Sequence, residues 1–310
     1  MLSIENAAYY VPNNFQSIED ASSWFGITPL QAKIYKRVFG LNTFPVADKL
    51  FAEDLVKKTL YNLLSDGSVN FDSIKLIIHA HTGQVLCPFG ESVINNIRNE
   101  FYMNDALYIG TSLNNCTSIF DAFEIAEILL CDYEKDAKAL VIVGEVTFTQ
   151  ALRLVPNVSV TGDAAAAVIV KKHSNHNQLL AMTVSCHGEF SKGLWLDHED
   201  QLKFESSFQM MMKNVIDETL NKVGVTLQEL SLILPHNVNM RFWRQFSRDF
   251  NISPNKIFTG NILKYAHCFG ADAIINFVDA KNNGHLKKGD YFLMFTAGLG
   301  STLGAALFQY

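Results

Sequence analysis

Residues 106–130 have the sequence ALYIGTSLNNCTSIFDAFEIAEILL. Residues 106–110 form an apolar run that predicts a strand, and the apolar spacing over residues 117–130 predicts a helix. A strand that leads into such a helix is the building unit of α/β proteins. Cys116 lies between the two elements, close to the predicted start of the helix.

Strand-length apolar runs and helical patterns alternate along the rest of the chain, which predicts an α/β fold. In the first half we predict strands at residues 76–80, 139–143 and 166–170, and a helix at 91–101. In the second half we predict strands at residues 232–236, 256–260, 291–295 and 304–308, and helices at 204–223, 239–250 and about 267–281. The shared order favours an internal duplication, with one half over residues 1–171 and the other over 172–310. Alternatively, α/β proteins alternate in this way without duplication.

The composition is that of a globular protein with a large core, because 48 % of the 310 residues are apolar and 18 % are charged. The net charge of −6 argues against nucleic acid as the main partner, since phosphate binding needs a basic face. No apolar run approaches the roughly 20 residues that span a bilayer, and the N-terminus lacks the pattern of a secretory signal. The five cysteines are odd in number and lack paired or metal-type spacing, which predicts reduced thiols in the cytoplasm and no bound metal.

Cys116 is the first candidate for chemistry. A thiol at a helix N-terminus faces the positive end of the helix dipole, roughly +0.5 charge, which favours the nucleophilic thiolate. Backbone N–H groups at the same helix start can hold an oxyanion. The alternative is a buried structural cysteine, and the motif alone favours it because free cysteine is among the most buried residue types.

Two histidines and a glycine-rich turn are further candidates. His236 follows a predicted buried strand, where α/β proteins present ligands, and a neutral imidazole there can polarise a carbonyl or move a proton. Under the duplication, His267 occupies the helix start that corresponds to that of Cys116, so the two side chains would meet. An amide of the turn at residues 296–304 could point at an oxyanion. The alternatives are a helix-capping role for His236 and tight strand packing at the turn.

With these residues in this order, the sequence resembles the thiolase superfamily, and most of all β-ketoacyl-acyl-carrier-protein synthase III. The resemblance is clearest in NCTS at residues 115–118, TGDAAA at 161–166, PHNVN at 235–239 and the stretch from His267 to Tyr310. It spans nearly the whole chain. It implies a five-layered αβαβα fold with two pseudo-symmetric halves, and a homodimer.

The resemblance also implies a role for each candidate position. Cys116 would take the acyl group, and His236 matches the catalytic histidine of the family. His267 stands where the family has an active-site asparagine, so the set becomes Cys-His-His. The backbone N–H groups of Cys116 and Leu299 would form the oxyanion hole. Phe89 would reach across the dimer into the partner's site.

At three positions this sequence differs from the residues with which the family binds coenzyme A. Ile34 and Val38 stand where the family has a Trp and an Arg, and Val155 stands where it has a further Arg. Loss of these cations removes charge-assisted contacts to the nucleotide. We therefore expect an acyl carrier protein, more than acyl-CoA, to deliver the acyl group.

The expected function is acyl transfer through Cys116 to a malonyl-type thioester by decarboxylative Claisen condensation, without a cofactor. The product would be a 3-oxoacyl thioester in fatty-acid-like or polyketide biosynthesis. The alternatives are transfer without decarboxylation to a carrier protein, alcohol or amine, a thiol hydrolase, and a non-catalytic partner subunit.

Overall fold

The computed structural model describes residues 1–65, 67–83, 86–87, 91–147 and 149–310. Within these residues the strands are β1 (Leu2–Tyr10), β2 (Phe15–Ser17), β3 (Thr43–Pro45), β4 (Ile74–Ala80), β5 (Leu107–Thr111), β6 (Lys138–Glu145), β7 (Leu154–Val155), β8 (Ser159–Val160), β9 (Ala164–Lys172), β10 (Gln178–Cys186), β11 (Leu232–Leu234), β12 (Tyr291–Gly298) and β13 (Thr302–Gln309). The α-helices are α1 (Ser22–Phe25), α2 (Pro29–Arg37), α3 (Ala52–Leu64), α4 (Val93–Glu100), α5 (Ser118–Leu129), α6 (Gln150–Arg153), α7 (His198–Asn221), α8 (Met240–Asp249), α9 (Gly260–Tyr265) and α10 (Asp272–Asn282).

Nine of these strands form one sheet in the order β11-β12-β13-β10-β1-β9-β6-β4-β5. In the middle of this order, β1 meets β10 at the register pair Ser3 and Gln178. By contrast, β1 pairs with β9 along nearly its whole length, and β10 pairs with β13 in the same way. The sheet therefore has two halves that meet along β1 and β10.

Both halves have the same strand pairing. In the N-terminal half β4 and β6 are parallel, β9 is antiparallel to β6, and β1 is antiparallel to β9. In the C-terminal half β11 and β12 are parallel, β13 is antiparallel to β12, and β10 is antiparallel to β13. β5 extends the first half, and Ile257 makes the corresponding parallel bridge to Ile233 in the second. The predicted pseudo-symmetry is confirmed, whereas the boundary after residue 171 stays a prediction because β9 runs through it.

Helices lie between the two sheet halves and on their outer faces. α5 packs on β4, β6 and β13, while α10 packs on β1, β9, β11 and β12. The apolar side chains of these two helices share one core with the inner faces of both halves. α3 and α4 cover the outer face of the N-terminal half, and α7 and α8 cover that of the C-terminal half, each over a separate core. The five-layered αβαβα arrangement is thus confirmed.

The structure corrects two of the predicted elements. The strand at residues 256–260 is wrong, because Pro254–Lys256 forms a one-turn 3₁₀ helix and α9 already begins at Gly260. Between this 3₁₀ helix and α9, Ile257 makes an isolated bridge to Ile233. Pro254 has its φ fixed at a value that suits a helix, which favours the 3₁₀ turn over a strand. The helix predicted from about His267 begins later, at Asp272, after a 3₁₀ turn at Phe269–Ala271.

β1, β10 and α3 are among the elements that the sequence patterns did not predict. β1 and β10 mix polar with apolar residues, and the apolar face of α3 alternates with lysines and acidic residues. They are half-buried elements, so their apolar residues do not form the continuous runs that mark a central strand. Among the described residues, no helix combines the length and the apolar character that crossing a membrane requires.

Gly304 on β13 sets how closely α5 approaches the sheet. A Cβ added there would lie 2.8 Å from Cε2 of Phe120 and 2.8 Å from Cγ2 of Thr117, both at the start of α5. We expect Gly304→Ala to lower the free energy of unfolding by about 1–3 kcal/mol, because the buried ring has little room to move. Urea unfolding measures the loss. Gly188→Ala is the control, since a Cβ at Gly188 meets nothing within 4 Å; an equal loss in both variants would contradict the expectation.

Candidate active site

Cys116 lies in a sharp turn between β5 and α5. Asn115 has a φ of 52°, and Asn115–Thr117 forms a one-turn 3₁₀ helix that leads directly into α5. This turn buries the thiol, which is 5 % exposed, between the ends of elements from both halves. The Sγ atom is 3.6 Å from Nε2 of His267 and 3.4 Å from Oγ1 of Thr82.

His267 occupies the corresponding turn of the C-terminal half. Its backbone N–H donates to the carbonyl of Val160 at 3.1 Å, and its carbonyl accepts from the N–H of Gly162 at 2.8 Å. Ala266, just before it, has a φ of 54°, a conformation that L-residues rarely adopt. The chain therefore bends sharply at Ala266 and is then held at His267 by its bridge to Thr161, so that the imidazole points at Cys116.

His236 completes the cluster from the end of β11. Its ring centroid is 4.3 Å from that of His267, and the side chain is almost fully buried. The indole N–H of Trp243 donates to the His236 carbonyl at 2.9 Å and fixes the backbone of this loop. The ligand-type atoms of Cys116, His236 and His267 all lie within 4.8 Å of one another. The structure thus brings the three predicted residues together.

Asp272, which the sequence analysis did not single out, connects the two histidine loops. Its Oδ2 is 2.7 Å from Nδ1 of His267 and accepts the backbone N–H of Asn237 at 2.8 Å. Its Oδ1 accepts the backbone N–H of Cys268 at 2.7 Å. Nδ1 of His236 lies 4.0 Å from Oδ2 and has no hydrogen-bond partner among the described residues. Cys116, His267 and Asp272 therefore form a thiol–imidazole–carboxylate series.

The two histidines have opposite electrostatic environments. Burial disfavours a charged His267, but its interactions with Asp272 and Cys116 outweigh burial and raise the pKa of His267 to about 10. Burial, together with the nearby His267, lowers the pKa of His236 well below its usual range. At neutral pH His267 is thus the cationic member of the pair and His236 the neutral one. Burial and the same carboxylate raise the pKa of the Cys268 thiol, which leaves Cys268 as a packing residue.

A second buried carboxylate supports the thiol side of the cluster. Glu145, at the end of β6, accepts the backbone N–H groups of Thr82 and Gly83, the latter at 2.7 Å. This holds Thr82 against Cys116. Burial raises the pKa of Glu145, while these hydrogen bonds favour its ionised form. The sequence did mark Asp272 and Glu145, because each is a lone acidic residue in an apolar segment. The pattern does not predict, however, which groups each carboxylate contacts.

The other predicted site residues are Leu299 and Phe89. The Leu299 carbonyl accepts from the Asn115 side chain at 2.7 Å, so the glycine-rich turn does lie beside the Cys116 turn. The partnership of the Leu299 and Cys116 amides in an oxyanion hole stays a prediction. Phe89 lies outside the described residues, and its predicted role across a dimer stays a prediction too.

Within the described residues, the three positions expected to bind a nucleotide hold no cation themselves, although exposed Arg37 lies next to Val38. Ile34 and Val38 are partly exposed on α2, at 40 % and 42 %. Arg153, two residues before Val155, pairs with buried Asp163 at 2.9 Å and donates to the Thr161 carbonyl at 3.0 Å. It is therefore committed to the interior and cannot replace the missing arginine.

Known proteins are similar to this chain in sequence. The family described as 3-oxoacyl-[acyl-carrier-protein (ACP)] synthase III C terminal matches residues 220–310, which include both histidines. The β-ketoacyl-[acyl-carrier-protein] synthase III of Aquifex aeolicus is 32 % identical over 154 residues, 48 % of this chain and 50 % of that protein. The chain spans about half the length of the first curated relatives that it matches.

Solved structures are similar over the whole chain. The crystal structure of 3-oxoacyl-[acyl-carrier-protein] synthase III from Aquifex aeolicus covers 100 % of both chains with a TM-score of 0.84 and 25 % identity. ChlB3, named as an acyltransferase, covers 99 % of this chain and 97 % of its own with a TM-score of 0.86 and 18 % identity. At 18 % identity the second likeness shows the fold alone.

The hydrogen bond between Asp272 and His267 gives the site a measurable pH signature. We expect an NMR titration of the histidines to give His267 a pKa near 10 in the native protein. In Asp272→Asn the pKa of His267 should be much lower, because no carboxylate then offsets the effect of burial. Because the folded pKa is above the ordinary value of 6.5, the pair stabilises the fold most below about pH 6.5. This stabilisation disappears as the pH rises towards 10.

The difference in melting temperature between the native protein and Asp272→Asn should therefore shrink between pH 6.5 and 10. Asp279→Asn is the matched control, because Asp279 lies on the same helix but accepts from the Tyr9 hydroxyl, outside the site. A constant difference for Asp272→Asn over this range, or an unchanged His267 titration, would contradict the assignment.

Proposed function

We propose that this chain, a thiolase-superfamily protein similar to β-ketoacyl-acyl-carrier-protein synthase III, is an acyltransferase that uses acyl thioesters and carries the acyl group on Cys116. The observation that carries the proposal is the position of Sγ, 3.6 Å from an imidazole whose other nitrogen is held by Asp272. Such an arrangement can generate a thiolate–imidazolium pair, which is the activated form of a cysteine nucleophile.

The first step forms the acyl-enzyme. The Cys116 thiolate attacks the thioester carbonyl, and the backbone N–H groups of Cys116 and Leu299 would hold the oxyanion. As the intermediate collapses, the bond to the donor sulfur breaks, and the His267 imidazolium gives its Nε2 proton to the leaving thiolate. His267 is then neutral and keeps its remaining proton on Nδ1, facing Asp272.

In the second step the acceptor we favour is a malonyl-type thioester, because it would give the 3-oxoacyl product for which the similar synthases are named. Loss of CO₂ leaves an enolate, and neutral His236 can donate one hydrogen bond to the enolate oxygen. The enolate carbon attacks the Cys116 thioester. The C–S bond then breaks, which regenerates the thiolate and releases a 3-oxoacyl product. Neutral His267 takes up one proton from solvent at Nε2, which restores the thiolate–imidazolium pair. Similarity to fatty-acid-type synthases supports a role in fatty-acid-like or polyketide biosynthesis.

One observation favours a second candidate, direct transfer to an alcohol or amine. Because Asp272 holds the proton on Nδ1, neutral His267 presents a lone pair at Nε2. That atom can act as a base towards a hydroxyl or an amine, whereas it cannot donate to an enolate. In this case the acceptor would lose its proton to His267 as it attacks the acyl-enzyme, and no CO₂ would form.

A carrier protein suits the surface beside the histidine loop better than coenzyme A does. The N–H of Met240 donates to the Phe39 carbonyl at 2.7 Å, so α8 begins next to the end of α2. α8 then presents three exposed arginines, Arg241, Arg244 and Arg248. Exposed apolar side chains of α2 lie on the other side of this contact. Such a mixed basic and apolar face favours an acidic protein partner over a nucleotide.

Two further parts of the proposal concern assembly and location. β5 is the outer strand of the sheet, and Leu107 and Tyr108 on it are 47 % and 38 % exposed. Pairing of β5 with a second copy would cover this edge, which supports a homodimer. All five cysteines, which lie within the described residues, are free thiols, and this supports the cytoplasm as the compartment.

Intact-mass spectrometry tests the acyl-enzyme. We expect the protein to gain the mass of one acyl group from acyl-carrier protein, faster than from acyl-CoA, and Cys116→Ala to gain none. Cys268→Ala is the control, because this thiol is next to the site but is not the proposed nucleophile. If no donor modifies the native protein, the proposal fails and the chain is better described as a non-catalytic partner subunit.

His267→Asn separates the two acceptors. An asparagine amide can donate to an enolate oxygen but cannot act as a base. If condensation is the reaction, this variant should keep CO₂ release from malonyl-carrier protein within about tenfold of the native rate. If the acceptor is an alcohol or amine, the rate at which it discharges the acyl-enzyme should fall by about 10²-fold or more. Release of CO₂ and discharge by alcohols or amines are measured on the same pre-acylated protein.

A further inference from the structure

We infer that Cys116, His236 and His267 also form a binding site for a divalent zinc-type metal ion, and that metal binding and acylation of Cys116 exclude each other. The metal site uses the same side chains as the proposed function but requires no acyl donor or acceptor, whereas the mutual exclusion rests on the proposed acylation of Cys116. The sequence predicted no metal because no metal-type spacing is present. The three ligands instead come together from positions far apart in the chain.

The separations between the ligand atoms fit a tetrahedral ion. Bonds of about 2.0–2.3 Å to nitrogen and sulfur place neighbouring ligands roughly 3.3–3.8 Å apart. Sγ of Cys116 and Nε2 of His267 are already 3.6 Å apart, and all three ligand atoms lie within 4.8 Å of one another. Movements of the order of 1 Å or less, within the reach of side-chain rotation, therefore complete the set.

Asp272 supplies the outer support that such an ion requires. A metal-bound histidine usually donates its other ring N–H to a carboxylate, which fixes the tautomer and turns the free lone pair towards the metal. Nδ1 of His267 is 2.7 Å from Oδ2 of Asp272, so once the ring has lost its second proton to solvent, Nε2 carries the lone pair and faces Sγ. The carboxylate is itself held by the N–H groups of Asn237 and Cys268, which keep it in this outer position.

His236 provides an independent observation. Its side chain is almost fully buried, yet Nδ1 has no hydrogen-bond partner among the described residues. A buried unpaired ring nitrogen is costly. An ion bound through the other ring nitrogen, Nε2, would make Nδ1 the N–H donor, facing Oδ2 of Asp272 at 4.0 Å. Two imidazoles and one thiolate leave a fourth position open, as in zinc sites that bind an exchangeable ligand.

The exclusion follows from the bonding of sulfur. As a metal ligand, Sγ must be a thiolate, and in the acyl-enzyme its electron pair forms the thioester bond. Binding of the ion therefore releases any protons held by Sγ and Nε2 to solvent, and it blocks attack on a thioester. Acylation in turn removes the anionic ligand and leaves two imidazoles only.

Titration with Co²⁺, a coloured substitute for Zn²⁺, tests the site. The background is Cys131→Ala/Cys186→Ala, which removes the two exposed thiols. We expect one Co²⁺ per chain, with a thiolate-to-cobalt charge-transfer band, visible tetrahedral bands, and full reversal by a chelator. Cys116→Ala should lose the charge-transfer band. Asp272→Asn should keep the band but bind about 10- to 100-fold more weakly.

Several outcomes would overturn the inference. These are the absence of a charge-transfer band, a band of the same intensity in Cys116→Ala, and an affinity that Asp272→Asn leaves unchanged. Near-ultraviolet circular dichroism of each variant verifies that it is folded. Alkylation of Cys116 by iodoacetamide should prevent cobalt binding, and bound Zn²⁺ should slow that alkylation. Because none of these measurements uses an acyl donor, a failure here is distinguishable from a failure of the acyl-enzyme.

Discussion

The buried Asp272 carboxylate is the interaction on which the candidate site depends. A charge in the protein interior is tolerated only when hydrogen bonds replace its lost hydration. Asp272 obtains them from His267, from the N–H of Cys268, and from both the backbone and the side chain of Asn237. Because these donors lie on the loops that carry the two histidines, satisfying the carboxylate also positions the chemistry. Asn276, one turn further along α10, extends the same support to the carbonyl of Pro235.

Each half of the fold places a candidate site residue directly after a residue with a positive φ. Asn115 and Ala266 each precede a functional side chain, and each has a positive φ. Such conformations cost of the order of 1–3 kcal/mol and persist where surrounding contacts impose them. Here the contacts are the hydrogen bond from Asn115 to the Leu299 carbonyl and the short bridge that holds His267 to Thr161. The pseudo-symmetric fold thus delivers two turns of similar shape to one point, one with a thiol and one with an imidazole.

The sequence predicted much of this arrangement, because central strands and helices have strong patterns. The apolar runs located β4, β6, β9, β12 and β13, and the repeat order placed Cys116 opposite His267. It could not predict Asp272, since the role of an acid at a helix start depends on which ring nitrogen a distant turn aims at it. Residues 256–260 also misled the pattern, because Ile257 makes a single bridge, Phe258 packs against the core and Gly260 already begins α9. Regular spacing of apolar residues over many positions predicts which elements pack into a layer. A single polar contact depends instead on how distant turns meet in the folded chain, so the spacing does not predict it.

The middle layer has a consequence for how the chain is made. α5 lies on the inner face of the N-terminal sheet half, but the core that it shares is completed by α10 and by β12 and β13, near the end of the sequence. A ribosome therefore releases β1, β4, β6 and β9 well before the residues that cover their inner surface exist. Until residues 272–309 emerge, that apolar surface is open to water and to other chains. We expect nascent chains of this protein to depend on chaperones until α10, β12 and β13 have emerged and can cover this surface.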